Sequence, residues 1–219
     1  MKKFIMITPL QPVTTEKDGT IKTALKCRRY EAIGNEKLRF DKDTRFPLMA
    51  VINAYAESGE EIRVFTITPD TDSARIHEQE LRDELGALQA EKGFVCRGVE
   101  AIPITYAGDV DTQLELFRKL LPCFEEGDTL YGCLTYGTKP MPIAELMAIE
   151  YAYRVVDDVA IGCLVYGELD HSAGEPAPMR IFDITSLIRL DEIVRMLAEH
   201  RVAEPMNIIN RILDFGEGE

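Results

Sequence analysis

The chain has 219 residues, 46% hydrophobic and 29% charged, with a net charge of −13. That is enough apolar material for one globular domain, or a domain with an appendage, and no apolar run approaches the ~20 residues of a membrane span. The negative balance argues against broad binding to a long nucleic-acid duplex, which needs a basic face.

The charge is uneven. Residues 1–45 carry 11 Lys/Arg against 6 Asp/Glu, and the remainder carry 14 against 32. A small basic region on an acidic body suits a compact anionic ligand, although a solvated basic loop gives the same count. The five cysteines are odd in number, never closer than ten residues, and include no CxxC. Reduced thiols in a cytoplasmic protein are expected, with no metal site and no cofactor.

In chain order, Lys3–Ile7 is an apolar strand ended by Thr8-Pro9-Leu10-Gln11-Pro12. With its short apolar run and no small-residue cleavage site, this N-terminus is expected to be a strand and not a signal peptide. Residues 13–43 show no clean period, and Thr20–Tyr30 with Lys37–Phe40 suggests a hairpin. Phe46–Ala56 is an apolar helix, Ile62–Thr68 a buried strand, and Ala74–Glu91 a helix capped by Asp72 or Ser73. Val99–Thr105 is a third strand, and Asp111–Phe124 a third helix with apolar residues at helical spacing. Leu130–Leu134 is a fourth strand, Met141–Arg154 its helix and Val159–Tyr166 a fifth strand. Met179–Ile184 follows only a loop, so it is expected to run antiparallel to the fifth. Two helices, Ser186–His200 and Glu204–Leu213, finish the chain.

This alternation predicts an α/β fold: a doubly wound, mainly parallel Rossmann-like sheet with an antiparallel edge strand and C-terminal helices. The domain boundary is set at 185/186, with 1–185 as the sheet domain and 186–219 as a helical appendage. If strands one to three grow one way, strand four lies on the other side of strand one. The turns Thr8–Gln11 and Thr135–Lys139 then flank the topological switch point, where α/β sheets place ligands. Most strand-to-helix turns bind nothing, and neither GxxxxGK[ST] nor GxGxxG occurs here. The second turn is nevertheless rich in hydroxyls, carries a lysine and opens a helix, an arrangement suited to phosphate. The histidines lie far apart: His77 is expected on a solvated helix face, and His171 in a loop. Asp183 or Ser186 is expected to cap the following helix.

The run LTYGTKPM resembles the threonine-glycine-threonine-lysine motif of CARF domains, the CRISPR-associated Rossmann-fold sensors. Gly137, Thr138 and Lys139 match, and Tyr136 stands where the family often has a first glycine. IFDITSLIRLDEIVRML is similar to the closing strand and helix of related CRISPR accessory proteins, and Thr8 and Gln11 fit the family's other ligand loop. The resemblance implies a homodimer of an antiviral defence system that binds a cyclic oligoadenylate in a pocket shared about a twofold. It implies ligand contacts from Thr8, Pro9, Leu10 and Gln11, from Thr68 and Asp70, and from Thr135, Tyr136, Gly137, Thr138, Lys139 and Met141. It leaves two options for a stand-alone sensor domain. One is binding alone. The other is metal-independent ring cutting, with Lys139 stabilising the phosphate and Thr8 positioning the attacking 2′-hydroxyl. A Rossmann-like nucleotide hydrolase or transferase, and a purely structural interaction module, are the alternatives.

Overall fold

The computed structural model describes residues 1–18, 21–107, 109–170 and 177–214. Its strands are β1 (Lys2–Ile7), β2 (Val13–Thr15), β3 (Ile21–Thr23), β4 (Tyr30–Ile33), β5 (Glu61–Pro69), β6 (Val95–Ile104), β7 (Thr129–Cys133), β8 (Ala160–Leu169) and β9 (Met179–Asp183). Its α-helices are α1 (Pro47–Tyr55), α2 (Asp72–Lys92), α3 (Val110–Leu120), α4 (Pro140–Val155), α5 (Thr185–Glu199) and α6 (Pro205–Asp214).

Seven strands form one sheet in the order β4-β9-β8-β7-β1-β5-β6. The five from β6 to β8 are parallel. β9 runs antiparallel to β8, as expected from the sequence, and β4 pairs parallel with β9 at the edge. The chain is therefore a Rossmann-like α/β protein with strand order reversing at β1. Phe4, Ile5, Met6 and Ile7 of that central strand are all 0% exposed. This explains why its sequence is a continuous apolar run and not an alternation.

The region 13–43 departs from the expected hairpin. Val13–Thr15 pairs with Ile21–Thr23, Tyr30–Ile33 joins the large sheet, and Glu36–Leu38 is a 3-10 turn. Local patterning could not show this, because the partner of β4 is β9, roughly 150 residues away. The cap of α2 is Thr71, whose hydroxyl accepts from the Ala74 N–H at 3.1 Å, one residue before the expected cap. The Asp183 carboxylate accepts from the Asn35 amide at 2.6 Å, joining the end of β9 to the turn after β4.

The chain divides into two compact units, Met1–Asp183 and Ile184–Glu219. The first holds the sheet with α1 to α4, and the second holds α5 and α6. Among the described residues no helix is long and apolar enough to cross a membrane.

Candidate functional site

The site is built at the carboxyl ends of β1 and β7, which pair directly. After β7 the chain turns through Thr135-Tyr136-Gly137-Thr138-Lys139 into α4. Gly137 makes that turn possible. Its φ of +94° suits glycine, and a Cβ there would lie 3.0 Å from Ile7 Cγ2 and 3.3 Å from Met141 Cβ. The absent side chain lets the β7 turn lie directly on the end of β1. Leu10 and Gln11 then share one cavity of about 280 Å³ with Thr135, Tyr136 and Gly137. The two turns singled out in the sequence do converge.

A second cavity of about 430 Å³ continues this crevice, sharing Gln11, Thr135 and Tyr136 with the first. Its further walls are Ala24–Lys26, Tyr30 and the end of β8, Tyr166–Leu169. These walls were not among the expected site residues. Two signals pointed to them: the basic charge of residues 1–45, which includes Lys26, and the position of β8 beside β7, with its carboxyl end on the same side.

Several polar groups around the crevice lack partners among the described residues. Lys139 is exposed and makes no ion pair or hydrogen bond among the described residues, and the same holds for Lys26. The backbone N–H groups of Gly137, Thr138 and Lys139 likewise find no acceptor among the described residues. The side-chain oxygen of Gln11 is buried without a partner. By contrast, the first turn of α4 offers little: Pro140 and Pro142 have no N–H, and the Met141 N–H donates to Thr138 O at 2.9 Å. Anion-binding capacity therefore lies in the turn before the helix and not in the helix end itself.

Other expected residues have structural engagements. Thr8 is 1% exposed, and its hydroxyl meets that of Thr68 at 3.1 Å. Thr68 donates to Glu78 at 2.7 Å, and Glu78 is held by Arg82 at 2.6 Å. This hydroxyl–carboxylate chain ties β1, β5 and α2 together beneath the crevice. Asp70 is turned to the β6 side, accepting from the Tyr106 N–H at 2.6 Å. Pro9 and Met141 are buried, Met141 against Gly137. Thr135 accepts from the Gly167 N–H at 2.8 Å, which fastens the end of β8 to the turn.

Tyr136 has a buried ring, and its hydroxyl donates to the Arg45 carbonyl. Burial beside Tyr30 pushes its phenol well above the usual value. His77 is 0% exposed and not on a solvated face. It lies between Glu80 at 2.8 Å and the Gln11 carbonyl at 3.1 Å, and so holds the β1 turn against α2. His171 lies outside the described residues.

Among the described residues no group of three or more His, Cys, Asp or Glu could hold a metal ion. No protein-family model matches the chain, and no curated protein is significantly similar to it.

Proposed function

We propose that the crevice binds a phosphate-bearing nucleotide ligand, and specifically a cyclic oligoadenylate, in a pocket shared by two copies of the chain in the cytoplasm. One observation supports the reading: two turns from opposite sides of a strand-order reversal share one cavity, and the turn that follows Gly137 in its lining carries a lysine and backbone N–H groups with no partner among the described residues. Lys139 neutralises a phosphate as a point charge, and the N–H groups of Gly137 to Lys139 donate to its oxygens. Lys26, in the lining of the adjoining cavity, offers a second cationic contact.

The second cavity carries both signs of charge, Lys26 and Glu168. Glu168 is the acidic residue in its lining, beside Tyr30, Tyr136 and Tyr166. A carboxylate repels phosphate but accepts from a ribose hydroxyl or an adenine amino group. The phosphate is therefore assigned to the Lys139 end and the nucleoside to the tyrosine-lined end.

Cutting of the ring would need little from the protein. The 2′-oxygen attacks the adjacent phosphorus, the bond from phosphorus to the 5′-oxygen breaks, and the proton passes to that leaving oxygen. The product is a 2′,3′-cyclic phosphate with a free 5′-hydroxyl. Thr8 is buried on Thr68, so its part in this step is to support the crevice floor. Lys139 would stabilise the charge on phosphorus, and Glu168 is the carboxylate within the lining.

The test is incubation with cyclic tetra- and hexa-adenylate separately, followed by melting curves and mass spectrometry. An intact ring with a raised melting point makes the protein a sensor. A 2′,3′-cyclic phosphate product makes it a ring nuclease, with a rate that falls in Lys139→Ala. Indifference to both rings rejects the reading.

A further inference from the structure

Helix α4 is apolar nearly all round. Its inner face packs on the sheet through Met141, Ala148, Ile149 and Ala152, all nearly inaccessible. Its outer face carries Ile143, Met147, Tyr151 and Val155 at 60, 56, 39 and 59% exposure. These stand four residues apart, one stripe along the helix, with no charge among them. The neighbouring helix α3 extends the surface with Val110 at 73% and Leu114 at 47% exposure. The two helices are joined by an edge contact between Phe117 and Tyr151, with ring centroids 6.0 Å apart. Between them runs an apolar groove of about 290 Å³. A solvent-facing helix is expected to be polar on this side, and one that is apolar all round is normally covered.

We infer that this face packs against the same face of a second copy, with α4 beside α4 about a twofold axis running along the helices. Four features favour a copy of this chain as the occupant. The six exposed side chains flank one apolar groove, a larger apolar feature than the singly scattered exposed residues of an ordinary surface. Secondly, the net charge of −13 makes two copies repel, and this stripe is a surface where they can meet without opposing carboxylates. Its flanking charges are already paired within their own helices, Lys119 with Glu115 at 2.6 Å and Arg154 with Glu150 at 3.8 Å. Thirdly, the surface is self-complementary, a ridge (Ile143, Met147) beside a groove, as an isologous contact requires.

The fourth feature is continuity with the crevice. The stripe begins one turn after Lys139. Two α4 helices side by side, with axes about 8–10 Å apart, bring both Lys139 turns to the same end of the dimer. Two lysines held near one axis repel until an anion lies between them. The inference rests on the twofold pocket proposed above, and it supplies the surface that forms that pocket.

The test reads mass without ligand. Sedimentation of the full chain at micromolar concentration is expected to give a dimer. Met147→Glu is expected to raise the dimer dissociation constant at least about 100-fold, since it buries a charge at the centre of the contact. Leu114→Glu and Ile143→Glu probe separate parts of the same patch, and circular dichroism checks that each variant is folded. In a Cys27→Ser background, Ile143→Cys is expected to form an interchain disulfide on oxidation, because the axis sets the two positions opposite each other. A monomeric wild type, or a dimer that survives in folded Met147→Glu, Leu114→Glu and Ile143→Glu, overturns the inference. Ring titration remains a separate readout. A monomer that still binds a ring removes this face and leaves the crevice, and a dimer indifferent to both rings does the reverse.

Discussion

The two ends of the parallel sheet treat charge in opposite ways. At the amino end Lys3 of β1 is 0% exposed, yet its ammonium is fully answered, by Asp128 at 2.6 Å, Glu125 at 2.7 Å and the Cys123 carbonyl at 2.8 Å. The chain's own amino group adds a contact to Asp128 at 3.2 Å. At the carboxyl end Lys139 and Lys26 have no partner among the described residues, and neither does the buried Gln11 oxygen. A buried charge survives only if the fold itself satisfies it. Lys139 and Lys26 are exposed and satisfied by water, which leaves them available to the ligand proposed above.

The sharpest way to break this comparison is at the closed end. Lys3→Met leaves Asp128 buried without its nearest cation and is expected to cost about 3–5 kcal/mol of stability in urea unfolding. A loss below ~1 kcal/mol would mean that the amino end is not a sealed ion cluster.

Glu145 is the exception inside the first unit, a carboxylate on α4 that is fully buried over Gly132 with both oxygens unpartnered. Desolvation raises its pKa well above the ordinary 4.5, so the folded state holds a proton that the unfolded chain has lost. Stability contributed by that proton is present at low pH and declines as pH rises above about 4.5. Glu145→Met is expected to stabilise the protein by about 1–3 kcal/mol at neutral pH and to flatten the pH dependence of unfolding. Unchanged stability and an unchanged pH profile would show that this carboxylate has partners in solution.

At the open end the variants separate binding from folding. Lys139→Ala is expected to weaken ring binding by about 10- to 100-fold while moving stability by less than about 0.5 kcal/mol. Tyr136→Phe, which removes only the hydroxyl that bonds the Arg45 carbonyl, is expected to cost about 0.5–1.5 kcal/mol of stability.

Much of this architecture was legible in the sequence, because it follows from periodicity and connection rules. The apolar run of β1 announced a strand buried on both faces. The helix-free link before β9 announced its antiparallel direction. The right-handed crossover rule then brings the turns after β1 and β7 together. What stayed hidden depended on distant partners. Nothing local in Tyr30–Ile33 points to β9, and nothing in the helical pattern around His77 shows that the Gln11 turn covers it. The expected helix-end anion site also changed character, because the prolines that mark the start of α4 remove the N–H groups such a site would use. The exposed stripe on α4 could not be told from core by its pattern, since all faces of that helix are apolar and only the sheet decides which is inward.

The most direct measurement is a melting-curve titration of wild type and Lys139→Ala with cyclic tetra- and hexa-adenylate, with ring integrity followed by mass spectrometry. The account predicts that one ring raises the wild-type melting point, by about 2.7 kcal/mol of stabilisation at a hundredfold excess over the dissociation constant, and that the shift largely disappears in Lys139→Ala. No shift with either ring, or an equal shift in both proteins, would contradict it.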